Sequence, residues 1–176
     1  MKAIIGAAIL AAAAFAIAPP ASAEDVTVKV FRITDKGQTD QIGTIRFSDG
    51  PKGLEIRPRL KGLPPGPHGF HIHENRSCNA KANPQGAMTP GLGAGGHYDP
   101  GKTGKHKGHM GEGHLGDLPV LMVGADGGAG GMMTAPRLKV SNLKGRSTII
   151  HAGGDNYEDQ PAALGGGGAR IACGLF

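Results

Sequence analysis

A histidine-rich, glycine-rich segment places the strongest constraint on how this chain can fold. The segment runs from His68 to Asp117 and contains seven of the eight histidines, so that only His151 lies outside it. It has almost no apolar periodicity, and a compact domain rarely contains so long an irregular segment unless it is functional or disordered. Neutral imidazole is a common protein ligand of zinc and copper. The clustered histidines therefore indicate a functional, metal-binding segment.

The first 23 residues have the features of a cleaved secretory signal peptide. Lys2 precedes the apolar run Ala3–Ala18, and Ala21-Ser22-Ala23 provides a small-x-small cleavage site. A membrane anchor is the alternative, but the run is short for a membrane span and a cleavage site stands in place of a stop-transfer flank. We expect cleavage after Ala23, which leaves an exported domain over residues 24–176 without a membrane span.

The distribution of charge excludes one class of partner. The formal net charge is +5, but the lysines and arginines are spread along the chain and aromatic residues are few. This pattern argues against a nucleic-acid-binding surface, which needs clustered basic residues. A mildly positive field can still attract small anions.

Alternating, β-branched segments separated by turn signals predict an all-β fold. No stretch shows helical periodicity, and 32 glycines and 13 prolines fit many turns. Short strands at this spacing are typical of an eight-stranded, immunoglobulin-like Greek-key β-barrel or sandwich. Two long ordered loops are expected, one after the fourth strand and one at Asp155–Gly168. The predicted strands are Val26–Ile33, Gln41–Phe47, one that starts with Leu54–Arg57, His68–Glu74, Leu118–Val123, Met132–Val140 with an interruption at Pro136, Ser147–His151 and Ala169–Leu175.

The two cysteines, Cys78 and Cys173, are expected to form a disulfide. In an exported protein an even number of cysteines favours pairing. Two free thiols or two thiolate metal ligands are the alternatives. Neither cysteine has the C-x-x-C spacing of a thiolate metal site, which favours the disulfide.

The H-x-H pair His71 and His73 is a candidate copper site. The two-residue period of a strand places both side chains on one face, while Phe70 and Ile72 point into the core. His151 ends a later strand and could deliver another imidazole to the same place. A set of histidines without a hard oxygen ligand suits copper better than magnesium or calcium.

A second candidate site is suggested by H-L-G-D. His114 and Asp117 stand three residues apart, and Gly116 permits the turn that would bring them together. His97 and His106 precede them in the glycine-rich segment. Three histidines and one carboxylate form a closed tetrahedral zinc site.

Motifs along the whole mature chain resemble those of the bacterial copper,zinc superoxide dismutases. They are G-F-H-I-H-E, G-G-H-Y-D-P, T-G-K-H-K-G, G-H-L-G-D-L-P, A-P-R-L, I-H-A-G-G-D-N-Y and L-G-G-G-G-A-R-I-A-C-G, and they occur in order with no large gap. The resemblance implies an oxidoreductase with one copper and one zinc ion per chain. Such an enzyme converts two superoxide anions and two protons to dioxygen and hydrogen peroxide by cycling between Cu(II) and Cu(I), and protects the periplasm from superoxide.

The resemblance also implies which residues hold the metals. The copper ligands would be His71, His73, His97 and His151. The zinc ligands would be His97, His106, His114 and Asp117. His97 would therefore bridge the two metals.

Four further residues receive roles from the resemblance. Asp155 would link one copper histidine to one zinc histidine, here His71 and His106. Arg170 would receive the anion beside the copper and act with His97 in catalysis. The family disulfide would join Cys78 to Cys173 and tie the metal-binding loop to the last strand.

Two histidines are predicted to bind no metal. His68 matches a structural histidine of the family, and we expect it to make a backbone hydrogen bond. His109 stands where many relatives have proline, which suggests an exposed loop residue. The alternative for His109 is competition with His106 for zinc.

Two other functions are alternatives to the dismutase. A non-enzymatic periplasmic copper or zinc carrier of the same fold would need neither an open copper position nor Arg170. A zinc hydrolase would need a general base beside a three-ligand zinc, and the chain has no H-E-x-x-H or equivalent. Dimerisation modes differ within the family, so that the sequence leaves both a monomer and a homodimer open.

Overall fold

The described part of the chain is built almost entirely of β-strands. The computed structural model of the protein describes residues 25–176, so that the predicted signal peptide, Met1–Ala23, lies outside the described residues. Within that range there are eleven strands, three short 3-10 helices and no α-helix, and no helix is long and apolar enough to cross a membrane. The strands are β1 (Asp25–Thr34), β2 (Gly37–Gly50), β3 (Gly53–Leu60), β4 (Gly66–His68), β5 (Phe70–His73), β6 (Lys81–Ala82), β7 (Met88–Thr89), β8 (Leu121–Val123), β9 (Met133–Ala135), β10 (Ser147–His151) and β11 (Arg170–Leu175). The 3-10 helices are Leu92–Ala94, Val140–Asn142 and Ala163–Gly166. The predicted all-β class is confirmed.

Seven of the strands form one antiparallel sheet. Their order is β5-β10-β11-β1-β2-β3-β9, and the pairs β4–β8 and β6–β7 form two smaller sheets. β1 pairs with both β2 and β11, so that the first and last strands are neighbours. β10 lies between β5 and β11. This order places His151 of β10 next to the strand that carries His71 and His73.

The core lies on one side of these strands and the histidines lie on the other. Phe70, Ile72 and Ile150 are buried in the main apolar cluster. Because side chains alternate along a strand, His71 and His73 point away from that cluster. Ile149, opposite His71 across the sheet, belongs to a separate, smaller cluster. The long loops cover this second face, and the metal-binding candidates are buried beneath them.

The predicted fourth strand, His68–Glu74, is divided at Gly69 into β4 and β5. Gly69 N donates to Gly153 O at 2.7 Å, and His151 N donates to Gly69 O at 2.8 Å. Gly69 therefore bonds to the end of β10 and to the loop that follows it. The division moves His68 out of the strand that carries the other two histidines.

Two other predicted strands are shorter than expected because prolines interrupt them. The segment 118–123 becomes a strand only at Leu121, after Pro119. The segment 132–140 is a strand only over Met133–Ala135, because Pro136 has no N–H to continue the ladder. The small hairpin of β6 and β7 inside the long loop was not predicted.

The predicted disulfide between Cys78 and Cys173 is confirmed. The two Cα atoms are 5.8 Å apart, and 95 residues separate the cysteines in sequence. Closing a loop of that size stabilises the fold by about 4–5 kcal/mol in the chain-entropy treatment. The bond fastens the long loop to β11, the strand that begins with Arg170.

Candidate metal centre

Two parts of the long loop, around Tyr98 and Gly116, bond to the backbone of β5. Tyr98 N donates to Ile72 O, Ile72 N donates to Gly116 O and Gly116 N donates to Tyr98 O, each at 2.8 Å. A Cβ at Gly116 would lie 2.3 Å from Ile72 O, so that only glycine permits this approach. The contacts bring His97 and Asp117 into bridges with β5.

The predicted ligands meet in two adjoining groups of buried side chains. In each group the ligand atoms lie within 4.8 Å of one another. The first group, which we call the all-histidine group, consists of His71, His73, His97 and His151. The second, the mixed group, consists of His71, His97, His106 and Asp117. His71 and His97 belong to both groups. In His97 one ring nitrogen, Nδ1, lies 3.0 Å from Asp117 Oδ1 of the mixed group and the other, Nε2, is buried without a partner, which is the position expected of a bridging ligand.

His114, the remaining predicted zinc ligand, lies at the edge of the mixed group. Its Nδ1 is 3.4 Å from Asp117 Oδ1, and its ring centroid is 5.3 Å from that of His97. The residue is only 8% exposed. The mixed group therefore contains His71 in the place where the predicted zinc set has His114. His114 is nevertheless adjacent to Asp117, the carboxylate of that group.

Six imidazole nitrogens of the site are buried and make no hydrogen bond to any residue in 25–176. They are His71 Nδ1, His73 Nε2, His97 Nε2, His106 Nδ1, His114 Nδ1 and His151 Nε2. Two of them approach a carboxylate but with poor hydrogen-bond geometry, since His106 Nδ1 lies 3.0 Å from Asp117 Oδ2 and His114 Nδ1 lies 3.4 Å from Asp117 Oδ1. Leaving a buried polar atom unpartnered costs about 1–3 kcal/mol. Bound metal would satisfy all six, and imidazole with carboxylate is a donor set that fits copper and zinc.

The opposite ring nitrogens of the all-histidine group are held by backbone carbonyl groups or carboxylates. His73 Nδ1 lies 3.0 Å from Gly95 O, and His151 Nδ1 lies 3.1 Å from Gly168 O. Contacts of this kind fix the tautomer and the ring orientation of a ligating histidine. The free nitrogens of these two rings are therefore Nε2, and both are directed into the group.

Asp155 joins the two groups. Its Oδ2 accepts a hydrogen bond from His71 Nε2 at 2.8 Å, and its Oδ1 accepts one from His106 Nε2 at 2.7 Å. Oδ1 also accepts a hydrogen bond from Tyr157 N at 2.7 Å. The side chain is fully buried. These are the two histidines that the resemblance assigns to this aspartate.

Burial and the carboxylates act on the histidines in opposite directions. Burial is the main reason that the pKa of His71 falls well below 6.5 and that the pKa of His151 falls to about 4. Both rings are therefore neutral at pH 7, the form that binds metal. Burial alone would lower the pKa of His106 too, but Asp117 and Asp155 outweigh it and raise this pKa to about 9. In the metal-free protein His106 is therefore positively charged at pH 7, and metal binding must displace its second ring proton.

Arg170 places a fixed positive charge beside the all-histidine group. It pairs with His151 across the sheet. Its Nη1 donates to Gly91 O at 2.6 Å and its Nη2 donates to Gly95 O at 2.7 Å. The pKa of His73 lies well below its usual value, mainly because the ring is buried, and next because of the charges of His97 and Arg170. These two carbonyl contacts hold the guanidinium of this half-buried residue in place.

The other two histidines belong to neither group. The ring nitrogens of His68 lie 2.7 Å from His151 O and 2.8 Å from Pro64 O, which confirms the expected backbone hydrogen bond. His109 is half-buried against Tyr157, with ring centroids 5.4 Å apart. The expectation that His109 is exposed was therefore wrong.

Two residues near the site were not predicted from the sequence. Tyr157 OH accepts a hydrogen bond from Val120 N at 2.9 Å, and Arg137 bonds to the segment 108–114. Both occur in motifs, D-N-Y and A-P-R-L, that carry the family resemblance. Nothing in their local sequence indicates which distant segment they contact.

The sequence as a whole matches one protein family. A family profile described as "Copper/zinc superoxide dismutase (SODC)" matches residues 41–176. The chain belongs to this family. The Cu-Zn superoxide dismutase of Escherichia coli (strain K12) is 47% identical over 168 residues, which are 95% of this chain and 96% of that protein.

Solved structures of relatives in this family have the same fold. The Cu/Zn superoxide dismutase from Brucella abortus matches with a TM-score of 0.85 and 48% identity, covering 86% of this chain and 99% of that chain. The monomeric copper, zinc superoxide dismutase from Salmonella enterica matches with a TM-score of 0.77 and 48% identity, again covering 86% and 99%. The predicted resemblance and the Greek-key β-barrel class are confirmed.

Proposed function

We propose that this chain is a superoxide dismutase that holds one copper and one zinc ion and converts two superoxide anions and two protons to dioxygen and hydrogen peroxide. The observation that carries the proposal is the set of six buried imidazole nitrogens without partners, arranged around the shared His97. Without a metal, the four of these atoms that approach no carboxylate are an uncompensated cost to folding. Membership of the copper/zinc superoxide dismutase family supports the same reading.

The donor types favour a particular distribution of the metals. Copper would take the all-histidine group, and zinc would take the group that contains a carboxylate. His71 belongs to both groups, but Asp155 occupies its Nε2, so that it has a single free nitrogen and can bind only one of the two metals. We assign it to copper, with the all-histidine group. His114 then completes the zinc set. The proposed ligands are His71, His73, His97 and His151 for copper, and His97, His106, His114 and Asp117 for zinc.

The chain itself supplies the binding of the anion and the handling of a proton. When bound, copper supplies the electron transfer by alternating between Cu(II) and Cu(I), and zinc, which is redox-inactive, supplies none. Arg170 provides the fixed charge that attracts and orients superoxide. While it is not bound to copper, His97 can hold a proton at Nε2 and donate it to the reduced substrate.

Metal analysis and a superoxide assay together test the proposal. Protein loaded with both metals should contain one copper and one zinc ion per chain and should suppress superoxide-driven reduction of a dye. A non-enzymatic carrier would bind the metals without suppressing dye reduction. A single metal in fully loaded protein would contradict the two-site arrangement.

Asp155→Asn is expected to weaken zinc binding by about 10–100-fold, the range seen when a partner of a metal ligand is lost. An amide cannot accept hydrogen bonds from His71 and His106 through both of its polar atoms. Competition with a zinc chelator measures the effect. Glu158→Gln is the matched control. Glu158 lies three residues after Asp155, and the change removes the same charge, but from an exposed ion pair with Lys107. Equal zinc affinity in both variants would assign Asp155 no part in zinc binding.

We also propose that residues 1–23 are removed on export to the periplasm. The proposal rests on three features of the sequence: the positive charge of Lys2, the apolar run that follows it, and the cleavage site Ala21-Ser22-Ala23. Mass spectrometry of periplasmic protein should find Glu24 at the N-terminus, and an intact residue 1–23 segment in active exported protein would contradict the proposal. The protein would act as a monomer or a homodimer, and the Salmonella enterica relative is described as monomeric.

A further inference from the structure

One guanidinium group bonds to four carbonyl groups of a single loop. Arg137 donates from Nε to His109 O at 3.3 Å, from Nη1 to Gly113 O at 3.1 Å, and from Nη2 to Gly108 O at 3.3 Å and His114 O at 2.6 Å. The loop, residues 106–114, begins and ends with proposed zinc ligands. Arg137 thus joins the two arms of the loop, at residues 108–109 and at residues 113–114.

Arg137 is itself fixed to the body of the fold. It follows β9, where Ala135 pairs with Leu54 of β3. Leu138, the next residue, is buried in the main core, and its N–H donates to Ala135 O at 3.3 Å. The backbone that carries the guanidinium is therefore held on both sides by buried neighbours.

The loop has few internal hydrogen bonds that could fix its shape. Within residues 25–176, Gly108 O, His109 O and Gly113 O accept hydrogen bonds only from Arg137. His114 N donates to Lys105 O at 2.9 Å, which closes the loop at its base. The start of the loop is held by His106 N, which donates to Asp159 Oδ2 at 2.9 Å, and by Lys107 N, which donates to Asp117 Oδ2 at 3.3 Å. Between residues 108 and 113 the hydrogen bonds to the carbonyl groups come from Arg137.

We propose that Arg137 is a positioning residue for the zinc half of the site, which holds His106 and His114 at the separation that zinc requires. The inference rests on the proposed function, since it assumes that these histidines bind zinc. It extends that function by naming a residue that controls zinc retention without touching the metal ligands' side chains. Within residues 25–176, the hydrogen bonds of Arg137 to the loop go only to backbone oxygens.

The sign of the expected effect separates positioning from simple electrostatics. Arg137 carries a positive charge close to a site for a divalent cation. If its charge were its only influence, removal would strengthen zinc binding, because like charges repel. If its hydrogen bonds order the loop, removal should weaken zinc binding, because the ligands must then be ordered when zinc binds. The two readings predict opposite changes.

Arg137→Met removes the charge and all donors while keeping a long side chain. In the exported protein we expect zinc affinity, measured by competition with a chelator, to fall roughly tenfold. This is the low end of the range seen when a residue that supports a metal ligand is lost. Copper occupancy and the electron paramagnetic resonance spectrum of copper should stay unchanged. Hydrogen exchange of amides 106–114 in metal-free protein should become faster. Arg137→Lys keeps the charge but has a single donor group. Its zinc affinity should lie between those of the wild type and Arg137→Met.

A general loss of stability is controlled by Ile45→Ala. This change opens a cavity at a fully buried position in β2, a strand that does not pair with β9, and it should lower the unfolding temperature without changing zinc affinity. Equal or tighter zinc binding by Arg137→Met would overturn the proposal, as would weakening of zinc by Ile45→Ala to the same extent. If Arg137→Met does not fold, Arg137→Lys decides, and wild-type zinc affinity in that variant overturns the proposal. Failure of the wild type to bind zinc would instead refute the proposed function.

Discussion

His73→Ala is expected to abolish superoxide dismutation while zinc stays bound. His73 belongs only to the all-histidine group, and its Nε2 is one of the unpartnered nitrogens directed into that group. Its removal takes away one copper ligand and leaves every member of the proposed zinc set in place. His114→Ala should show the opposite pattern, with zinc lost first. Elemental analysis and the dye-reduction assay, applied to both variants after identical metal loading, measure this separation.

His109→Ala is the matched control for these substitutions. It removes a histidine of the same long loop whose Nδ1 is also buried without a partner, but it belongs to neither metal group. It should keep both metals and the wild-type activity. Loss of both metals in His73→Ala and in His114→Ala alike would mean that the two groups form one indivisible site. Full activity in copper-loaded His73→Ala would remove this histidine from the copper set.

The parts of the site that lie within one strand could be predicted from local sequence. The two-residue period of β5 places His71 and His73 on the face opposite Phe70 and Ile72, and the structure has that arrangement. The spacing in H-L-G-D likewise indicated the turn that brings His114 near Asp117. These predictions succeed because backbone geometry alone fixes which side chains share a face.

Contacts across the long loops depended on tertiary structure and could not be predicted in the same way. Arg137 reaches the loop 106–114 only because β9 ends beside it, and A-P-R-L carries no local sign of that neighbour. Tyr157 has a φ of 63°, a left-handed backbone that non-glycine residues rarely adopt. The Tyr157 ring packs against His109, which explains why that residue is not exposed as expected.

The sequence predicts that Pro136 interrupts the strand 132–140, and β9 does end just before it, at Ala135. The strand does not resume after the proline, which has no N–H to continue the ladder. The family resemblance supplied the pairing of Asp155 with His71 and His106, and the same two contacts occur in the structure. Their effect on metal binding is left to the Asp155→Asn experiment.

Arg170→Glu is expected to cause the largest loss in the second-order rate of superoxide dismutation among variants that keep all proposed metal ligands. Arg170 is anchored by Gly91 O and Gly95 O beside the all-histidine group, where a positive charge attracts the anionic substrate. Arg170→Lys should keep a good part of the rate, Arg170→Ala should lose more, and Arg170→Glu should lose most. The rates should be measured at several salt concentrations, with copper occupancy determined for each variant.

Salt should act in opposite directions on the wild type and on Arg170→Glu. Screening shortens the reach of an exposed charge to about 8–10 Å at ordinary ionic strength. The wild-type rate should therefore fall as salt rises, because attraction is weakened. The rate of Arg170→Glu should rise, because repulsion is weakened. A change in metal geometry alone would not reverse the salt dependence.

Arg57→Glu separates local steering from total charge. It makes the same change in net charge on β3, which lies on the far side of β11, β1 and β2 from the strand of His151. Arg57 is exposed and pairs with Glu55 on its own strand. This variant should change the rate only slightly and keep the wild-type sign of the salt dependence. If fully copper-loaded Arg170→Glu matched the wild type at low salt, or if Arg57→Glu lost as much activity, Arg170 would have no specific part in guiding superoxide.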